Sequence, residues 1–222
     1  MKSLVTLFDD ALPSPEFSAL LRGVQRLGDE RLRSSYQTTF WFDFKTQPSN
    51  LVEAAVLRLR DRVPAGRYAG VEWWLSRMRT SNVKVDFHRD RDTALAAKTG
   101  QAVHPRWSTL LYLNRCRGGL LAVTRDDPNP DNRALAPDRH DFDLVEPTPN
   151  RFCVFDGRLT HGVLDARNHI PGARLPRERS LRLAIAINFW AKRPLEVPTF
   201  PDARAYRSIA LPGQPHGSTG SP

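Results

Sequence analysis

The chain has 222 residues and a formal net charge of +9, from 33 lysines and arginines against 24 acidic residues. With 40% hydrophobic residues, this length is sufficient for one domain with a sizeable core, and no apolar run is long enough to cross a bilayer. Two cysteines exclude a disulfide scaffold. Because the arginines are scattered rather than gathered in one stripe, the positive charge favours anionic partners in general over nucleic acid in particular.

The organisation that we predict is a single domain over residues 1–211, followed by a flexible tail rich in Gly, Ser and Pro over 212–222. Within the domain we expect helical support in 1–70, a β-rich core in 71–192 and a C-terminal extension in 193–211. The first ten residues lose their apolar character too soon for a signal peptide, so we expect a cytoplasmic protein.

The first third of the chain predicts two helices and one strand. Apolar residues at helical spacing predict a helix from Pro15 to Leu27, with Ser14 as its N-cap and Gly28 to end it. A run dense in Thr, Phe and Trp predicts a strand over 37–44. A second helical pattern covers 51–63 and ends before a proline.

Beyond residue 71 the pattern changes to short β-type runs separated by turn residues, with no helix expected among them. The predicted strands cover 73–80, 83–88, 107–114, 120–124, 142–145, 151–155 and 181–190. A polar segment over 166–179 is predicted to be a loop. Seven short strands of this kind indicate an antiparallel sandwich or jelly roll. We therefore expect a mainly β fold of the α+β class, with the N-terminal helices packed on one sheet.

Two histidines and an aspartate would form a metal site if two distant segments of the chain meet. His88 and Asp90 are separated by one residue at a predicted strand end, so on an extended backbone their side chains point the same way. His161 follows another predicted strand and would supply a third ligand. Two imidazoles and one carboxylate on one face of an octahedral ion are the ligand set of non-heme iron(II) oxygenases. The alternative is that these are surface or turn histidines without a ligand role.

The last predicted strand has a face suited to a small pocket. Period-two alternation places Arg182, Ala184, Ala186 and Asn188 on one side and larger apolar residues on the other. A guanidinium there would bind a carboxylate in bidentate fashion, with the alanines leaving room for it. The alternative is that Arg182 faces solvent on an edge strand.

Four blocks in this order resemble the 2-oxoglutarate- and iron(II)-dependent dioxygenases, in particular their prolyl-hydroxylase-like branch. The resemblance covers roughly residues 73–190. The blocks are His88-x-Asp90, Leu110-Leu111-Tyr112-Leu113-Asn114 with Gly118-Gly119, Phe155-Asp156-Gly157 before His161-Gly162-Val163, and Arg182-Leu183-Ala184-Ile185.

The resemblance implies a double-stranded β-helix, a jelly-roll core, with His88, Asp90 and His161 as iron ligands. It also implies that Arg182 binds the distal carboxylate of 2-oxoglutarate and that Tyr112 hydrogen-bonds the same end. The gap between His161 and Arg182 is longer than is usual in that branch, which leaves Arg179 as a rival for this carboxylate.

The implied cofactors are Fe(II), 2-oxoglutarate as co-substrate and O2, and the implied reaction is hydroxylation of a C–H bond with decarboxylation of 2-oxoglutarate to succinate. From the residues, Asn114 shares the strand face of Tyr112, and Asn188 shares that of Arg182, so both are candidate donors near the metal or the oxo acid. Ordinary polar strand residues are the alternative for each.

Three functions remain open from the sequence. The preferred one is hydroxylation of a peptide or protein side chain, an amino acid or a natural-product intermediate, with an anionic substrate included. A nucleic-acid dealkylating oxygenase is second, encouraged by the basic charge. A non-catalytic jelly-roll binding module is third. We expect no membrane partner.

Overall fold

The computed structural model describes residues 3–28, 38–80, 87–126, 142–169, 181–201 and 206–211. Within these ranges the chain forms nine β-strands and three α-helices. The strands are β1 (Val5–Phe8), β2 (Phe40–Asp43), β3 (Gly70–Arg79), β4 (Trp107–Tyr112), β5 (Leu121–Thr124), β6 (Asp143–Val145), β7 (Phe152–Asp156), β8 (Thr160–Val163) and β9 (Leu181–Trp190). The helices are α1 (Ser14–Gln25), α2 (Leu51–Leu59) and α3 (Thr93–Thr99).

The strands form two antiparallel sheets. A six-stranded sheet has the order β1-β7-β4-β9-β3-β2, and a three-stranded sheet has the order β6-β5-β8. Strands β3 and β9 form the longest pair, from Gly70 opposite Trp190 to Arg79 opposite Leu181. This arrangement confirms the predicted mainly β fold with a jelly-roll core and flanking helices.

The outer face of the six-stranded sheet carries the helices and the larger hydrophobic core. Alternate residues of β9, including Leu183, Ile185 and Ile187, pack there with Leu20 of α1 and Val56 of α2. Side chains that alternate along a strand place one apolar set toward the helices and leave the other face for a second layer. The prediction that the N-terminal helices pack on one sheet is therefore confirmed. None of the helices in the described ranges is long and apolar enough to cross a membrane.

The inner face of the same sheet packs against the three-stranded sheet. Ala184 and Ala186 of β9 and Leu110 of β4 form a core cluster with Leu121 and Val123 of β5. Because the alanines are small, the two layers do not fill the space between them completely, and a cavity remains there.

Several elements differ from the sequence prediction. Strands β1 and β8 and helix α3 are not among the predicted elements. Ser14, which we expected to cap α1, makes no capping hydrogen bond, because the helix already begins at Ser14 and Pro13 occupies the cap position. In α3, Asp92 accepts a hydrogen bond from the Leu95 N–H over 2.9 Å, and Gly100 ends the helix in the left-handed conformation.

The N-terminal region, for which we predicted helical support, also contributes strands β1 and β2. These two strands are the edges of the six-stranded sheet. The predicted strand over 83–88 and loop over 166–179 lie largely outside the described residues, and the predicted tail over 212–222 lies wholly outside them.

Candidate metal and oxo-acid site

The structure brings His88, Asp90 and His161 together at one point between the two sheets. One ligand atom from each residue lies within 4.8 Å of the others. Nε2 of His88 is 3.4 Å from Oδ1 of Asp90, and Nε2 of His161 is 3.4 Å from Oδ2 of the same carboxylate. Two imidazoles and one carboxylate therefore converge as a facial set of ligands requires.

Backbone pairing holds the two histidines side by side. The His88 N–H donates to the His161 carbonyl oxygen over 3.0 Å, and the His161 N–H donates to the His88 carbonyl oxygen over 2.9 Å. His161 belongs to β8, which pairs with β5. A short antiparallel bridge therefore connects segments that lie 73 residues apart in the sequence.

The ring of His161 is oriented by its other nitrogen. Nδ1 lies 3.2 Å from the carbonyl oxygen of Leu159, and since a carbonyl only accepts, this contact favours the tautomer with the proton on Nδ1. Nε2 is then an unprotonated acceptor that lies 3.4 Å from Oδ2 of Asp90, so both atoms are available to one ion. Burial lowers the pKa of His161, although the nearby carboxylate of Asp90 opposes that effect. A neutral imidazole is the form that binds a metal.

Asp90 is held by two polar neighbours. The Ser108 hydroxyl donates to Oδ2 over 2.8 Å, and Nδ1 of His104 lies 2.6 Å from the Asp90 backbone oxygen. Burial alone would raise the pKa of Asp90, but His161, His88 and the Ser108 hydrogen bond together hold it well below its usual range. The carboxylate is therefore ionised at neutral pH, as a metal ligand must be.

A cavity of about 250 Å³ extends from these three residues along the inner face of the large sheet. Its walls come from β3, β4, β9 and the small sheet. The lining side chains include Thr39, Trp74, Ser76, Met78, Leu110, Leu121, Phe155, Arg182, Ala186 and Asn188. The predicted pocket face of β9 thus lines a real cavity, with Arg182 toward one end of the strand and Asn188 toward the other.

Arg182 is a buried cation in this cavity, with a relative exposure of 2%. Its Nε donates to the carbonyl oxygen of Gly119 over 2.9 Å, and Nη1 donates to the Ser76 hydroxyl over 3.4 Å. Its Cζ lies 5.1 Å from the ring centroid of Tyr112. Among the described residues no carboxylate pairs with Arg182. A buried guanidinium with only neutral partners is costly unless a ligand supplies an anion.

The other predicted residues lie at different distances from the cavity. Tyr112 is buried next to Arg182, but its hydroxyl donates to the Val145 carbonyl oxygen over 3.3 Å, and burial raises its pKa to about 12. Asn188 lines the cavity. Arg179, the rival carboxylate ligand, lies outside the described residues.

Asn114 lies away from the cavity and joins β9 to the end of β4. Its Nδ2 donates to the Leu181 carbonyl oxygen over 2.7 Å, and its Oδ1 accepts from the Leu183 N–H over 2.8 Å. With both ends of the amide engaged by backbone, Asn114 fixes the strand that carries Arg182. A direct contact with metal or oxo acid has no support from this placement.

Ser108, His104, Ser76 and Thr39 are site residues that sequence reasoning did not identify. Ser108 shares the inner face of β4 with Leu110 and Tyr112 by simple alternation, which is a signal that the sequence contains. Its proximity to Asp90 depends on how the loop after residue 87 crosses the sheet, and no local pattern encodes that crossing.

Comparisons with known proteins show which fold this is. No protein-family model and no curated protein matches the chain. Among solved structures, it is similar to a prolyl-4-hydroxylase from Pseudomonas putida, with 18% identity, a TM-score of 0.50 and coverage of 86% of this chain and 89% of that one.

The chain is also similar to HygX from Streptomyces hygroscopicus, in a structure that holds nickel and 2-oxoglutarate. The identity is 15%, the TM-score 0.52 and the coverage 94% of this chain and 91% of that one. A second HygX structure, which also holds hygromycin B, gives 14% identity, a TM-score of 0.51 and coverage of 90% and 86%. At these identities the likeness is one of fold.

Proposed function

We propose that the protein is an Fe(II)- and 2-oxoglutarate-dependent dioxygenase that hydroxylates a C–H bond of a peptide side chain, an amino acid or a natural-product intermediate. One observation carries the proposal: the His88, Asp90 and His161 ligand set and the buried Arg182, which has no carboxylate partner among the described residues, share a single cavity. The similarity in fold to the prolyl-4-hydroxylase and to HygX with nickel and 2-oxoglutarate bound supports the same reaction class.

The three ligands fit a divalent iron ion. Nitrogen and oxygen donors in a facial set suit Fe(II), and three protein ligands leave three octahedral positions open for a chelating oxo acid and dioxygen. When bound together, these groups supply the oxidising chemistry, in which 2-oxoglutarate loses carbon dioxide to give succinate and the substrate gains a hydroxyl group.

The residues of the chain then have separate tasks. His88, Asp90 and His161 would hold the metal, and the Ser108 hydrogen bond keeps Oδ2 of Asp90 engaged so that Oδ1 remains available to the ion. Arg182 would bind the distal carboxylate of the oxo acid. Tyr112 packs beside the guanidinium, and its hydroxyl donates to the Val145 carbonyl oxygen, so its proposed task is to support Arg182.

The size of the cavity restricts what enters. About 250 Å³ accommodates a small acid together with a single side chain or small substrate group. Trp74, Leu110 and Leu121 give the middle of the cavity apolar walls.

Spectroscopy of the anaerobic complex tests this proposal. We expect Fe(II) and 2-oxoglutarate together to give a weak visible charge-transfer band that His161→Ala abolishes. His169→Ala is the matched control, because His169 is exposed on a turn, and it should keep the band. Succinate release in air without added substrate would show uncoupled turnover and exclude a non-catalytic binding module. Absence of both the band and succinate would overturn the proposal.

A further inference from the structure

A carboxylate near the metal end of the cavity has no task in the proposed reaction. Glu72 lies on the inner face of β3, in line with the cavity-lining Trp74, Ser76 and Met78 of the same strand. Its cross-strand partner on β9 is Asn188, and the partner of Asn188 on β4 is Ser108, which donates to Asp90.

This row of residues places Glu72 beside the metal site and at the opposite end of β9 from Arg182. Met78 is opposite Arg182, whereas Glu72 is opposite Asn188, six residues further along β9. An oxo acid that runs from the metal toward Arg182 therefore extends away from Glu72. Glu72 is not itself a lining residue, but Thr39, which hydrogen-bonds to it, and Asn188, its partner on β9, both line the cavity.

The neighbours of Glu72 do not neutralise it. The Thr39 hydroxyl hydrogen-bonds to it and the Trp190 indole lies near it, and both groups are neutral. The charged groups that act on it are the carboxylates of Asp90 and Asp92. Within the described part of the chain, no lysine or arginine forms an ion pair with Glu72.

Charge is therefore divided along the cavity. The Arg182 end attracts an anion, while Glu72 lies beyond the metal end as a partly buried carboxyl with no lysine or arginine partner among the described residues. This division opposes the net charge of +9, which favours anionic partners at the surface as a whole. Salt screens the charges of distant surface arginines, whereas a carboxyl a few ångströms from a bound group is screened much less. Glu72 therefore has more influence on the substrate than the net charge of the surface.

We infer that Glu72 is a substrate-binding residue that recognises a cationic nitrogen, so that the substrate is an amine or guanidine rather than an anion. This inference rests on the proposed dioxygenase function. An ammonium group at Glu72 would donate a charge-assisted hydrogen bond to this carboxyl. Burial raises the pKa of Glu72 to about 7, and a bound cation would lower it.

The test uses sets of related compounds that differ in the charge of one group. A panel of primary amines and guanidines, each with its N-acetylated counterpart and its carboxylate analogue, is screened for succinate release above the uncoupled rate. Thermal stabilisation of the protein loaded with nickel and 2-oxoglutarate gives a second readout that requires no turnover. We expect the cationic member of a pair to bind or couple at least tenfold better than its acetylated form.

Glu72→Gln should remove that preference and raise the KM or Kd for the cationic compound at least tenfold. Because Gln keeps the shape of the side chain, the circular dichroism spectrum of this variant should match that of the wild type. Glu146→Gln, the same substitution at an exposed position, is the matched control and should bind like the wild type.

Three results would overturn the inference. These are a preference for acetylated or anionic members, an unchanged Kd in Glu72→Gln, and the failure of every cation to bind at millimolar concentration while uncoupled turnover persists. Loss of uncoupled turnover in the wild type would instead count against the proposed function, so the two failures are distinguishable.

Discussion

The hydroxyl of Ser108 on β4 donates a hydrogen bond to Oδ2 of Asp90 over 2.8 Å, and the same oxygen lies 3.4 Å from Nε2 of His161. Ser108 is itself buried, and β4 is an interior strand of the six-stranded sheet. The carboxylate that we assign to the metal is therefore oriented by a strand, although Asp90 lies in a loop. The sheet thus holds the Asp90 carboxylate in a fixed orientation for metal binding.

Ser108→Ala should weaken metal binding by about 10- to 100-fold, since the outer hydrogen bond that orients a ligand is lost while the three ligands remain. Calorimetric titration of the metal-free protein with nickel measures this affinity. Ser208→Ala removes a hydroxyl that donates to the Gly23 carbonyl oxygen, remote from the site, and is the control. Equal nickel affinity in the Ser108 variant and the wild type would contradict the assignment.

Arg182→Lys should raise the KM for 2-oxoglutarate by at least tenfold, because lysine keeps the charge but not the planar pair of donors that a carboxylate accepts. Arg182→Ala should raise it further. Steady-state succinate release at varied 2-oxoglutarate measures both variants.

Arg179→Ala is the comparison for these variants, because the sequence leaves Arg179 as the alternative ligand for the same carboxylate. We expect it to change the KM by less than Arg182→Ala does. A larger effect of Arg179→Ala would transfer the carboxylate role to that residue.

The parts of the fold that sequence reasoning predicted are those that local patterns encode. The strand over 181–190 alternates small or polar residues with large apolar residues, and it occupies those bounds as β9. Helix α2 begins at Leu51 as predicted, where the Asn50 side chain accepts from two backbone N–H groups. His88 and Asp90 are separated by one residue, and their side chains meet as this spacing predicted, with Nε2 of His88 3.4 Å from Oδ1 of Asp90.

The parts that it missed depend on contacts between distant segments. Strand β8 contains Gly162, which has a low strand propensity, and pairing with β5 and with His88 stabilises it. Strand β1 buries only Val5 well, so its four residues carry no clear alternation. Asp92 and Gly100 do mark α3 as cap residues, and that signal was available.

Gly162→Ala should destabilise both the fold and the metal site. A Cβ at this position would lie 2.8 to 3.0 Å from ring carbons of Phe87, the residue before His88, so the ring must shift. We expect a loss of about 1 to 3 kcal/mol in the free energy of unfolding. Nickel affinity should fall as well, because the shift displaces His88 from His161.

Chemical denaturation and nickel titration measure the two effects of Gly162→Ala. Adding Phe87→Leu to this variant should restore part of the metal affinity, since the smaller side chain makes room for the new methyl group. An unchanged nickel affinity in Gly162→Ala would show that the two histidines do not depend on this packing.

Glu72 should make the metal-free protein less stable as the pH rises. Its pKa is raised from 4.5 to about 7, mainly by burial, so between these values the folded protein retains a proton that the unfolded chain has lost. The stabilisation is complete below about pH 4.5 and is lost as the pH rises through about 7. With an allowance for partial exposure, its size is about 2 kcal/mol.

Urea denaturation with EDTA at pH 5 and pH 8 measures this dependence. Between pH 5 and pH 8 the free energy of unfolding of the wild type should fall by about 2 kcal/mol through this group. Glu72→Gln has no proton to lose at this position, so the variant should not show that fall. Glu146→Gln, at an exposed position, should follow the wild type. Because this measurement involves neither metal nor substrate, it tests the electrostatic environment of Glu72 independently of its proposed role. If the free energy of unfolding changes equally with pH in wild type and Glu72→Gln, the pKa of Glu72 is not raised in the folded protein.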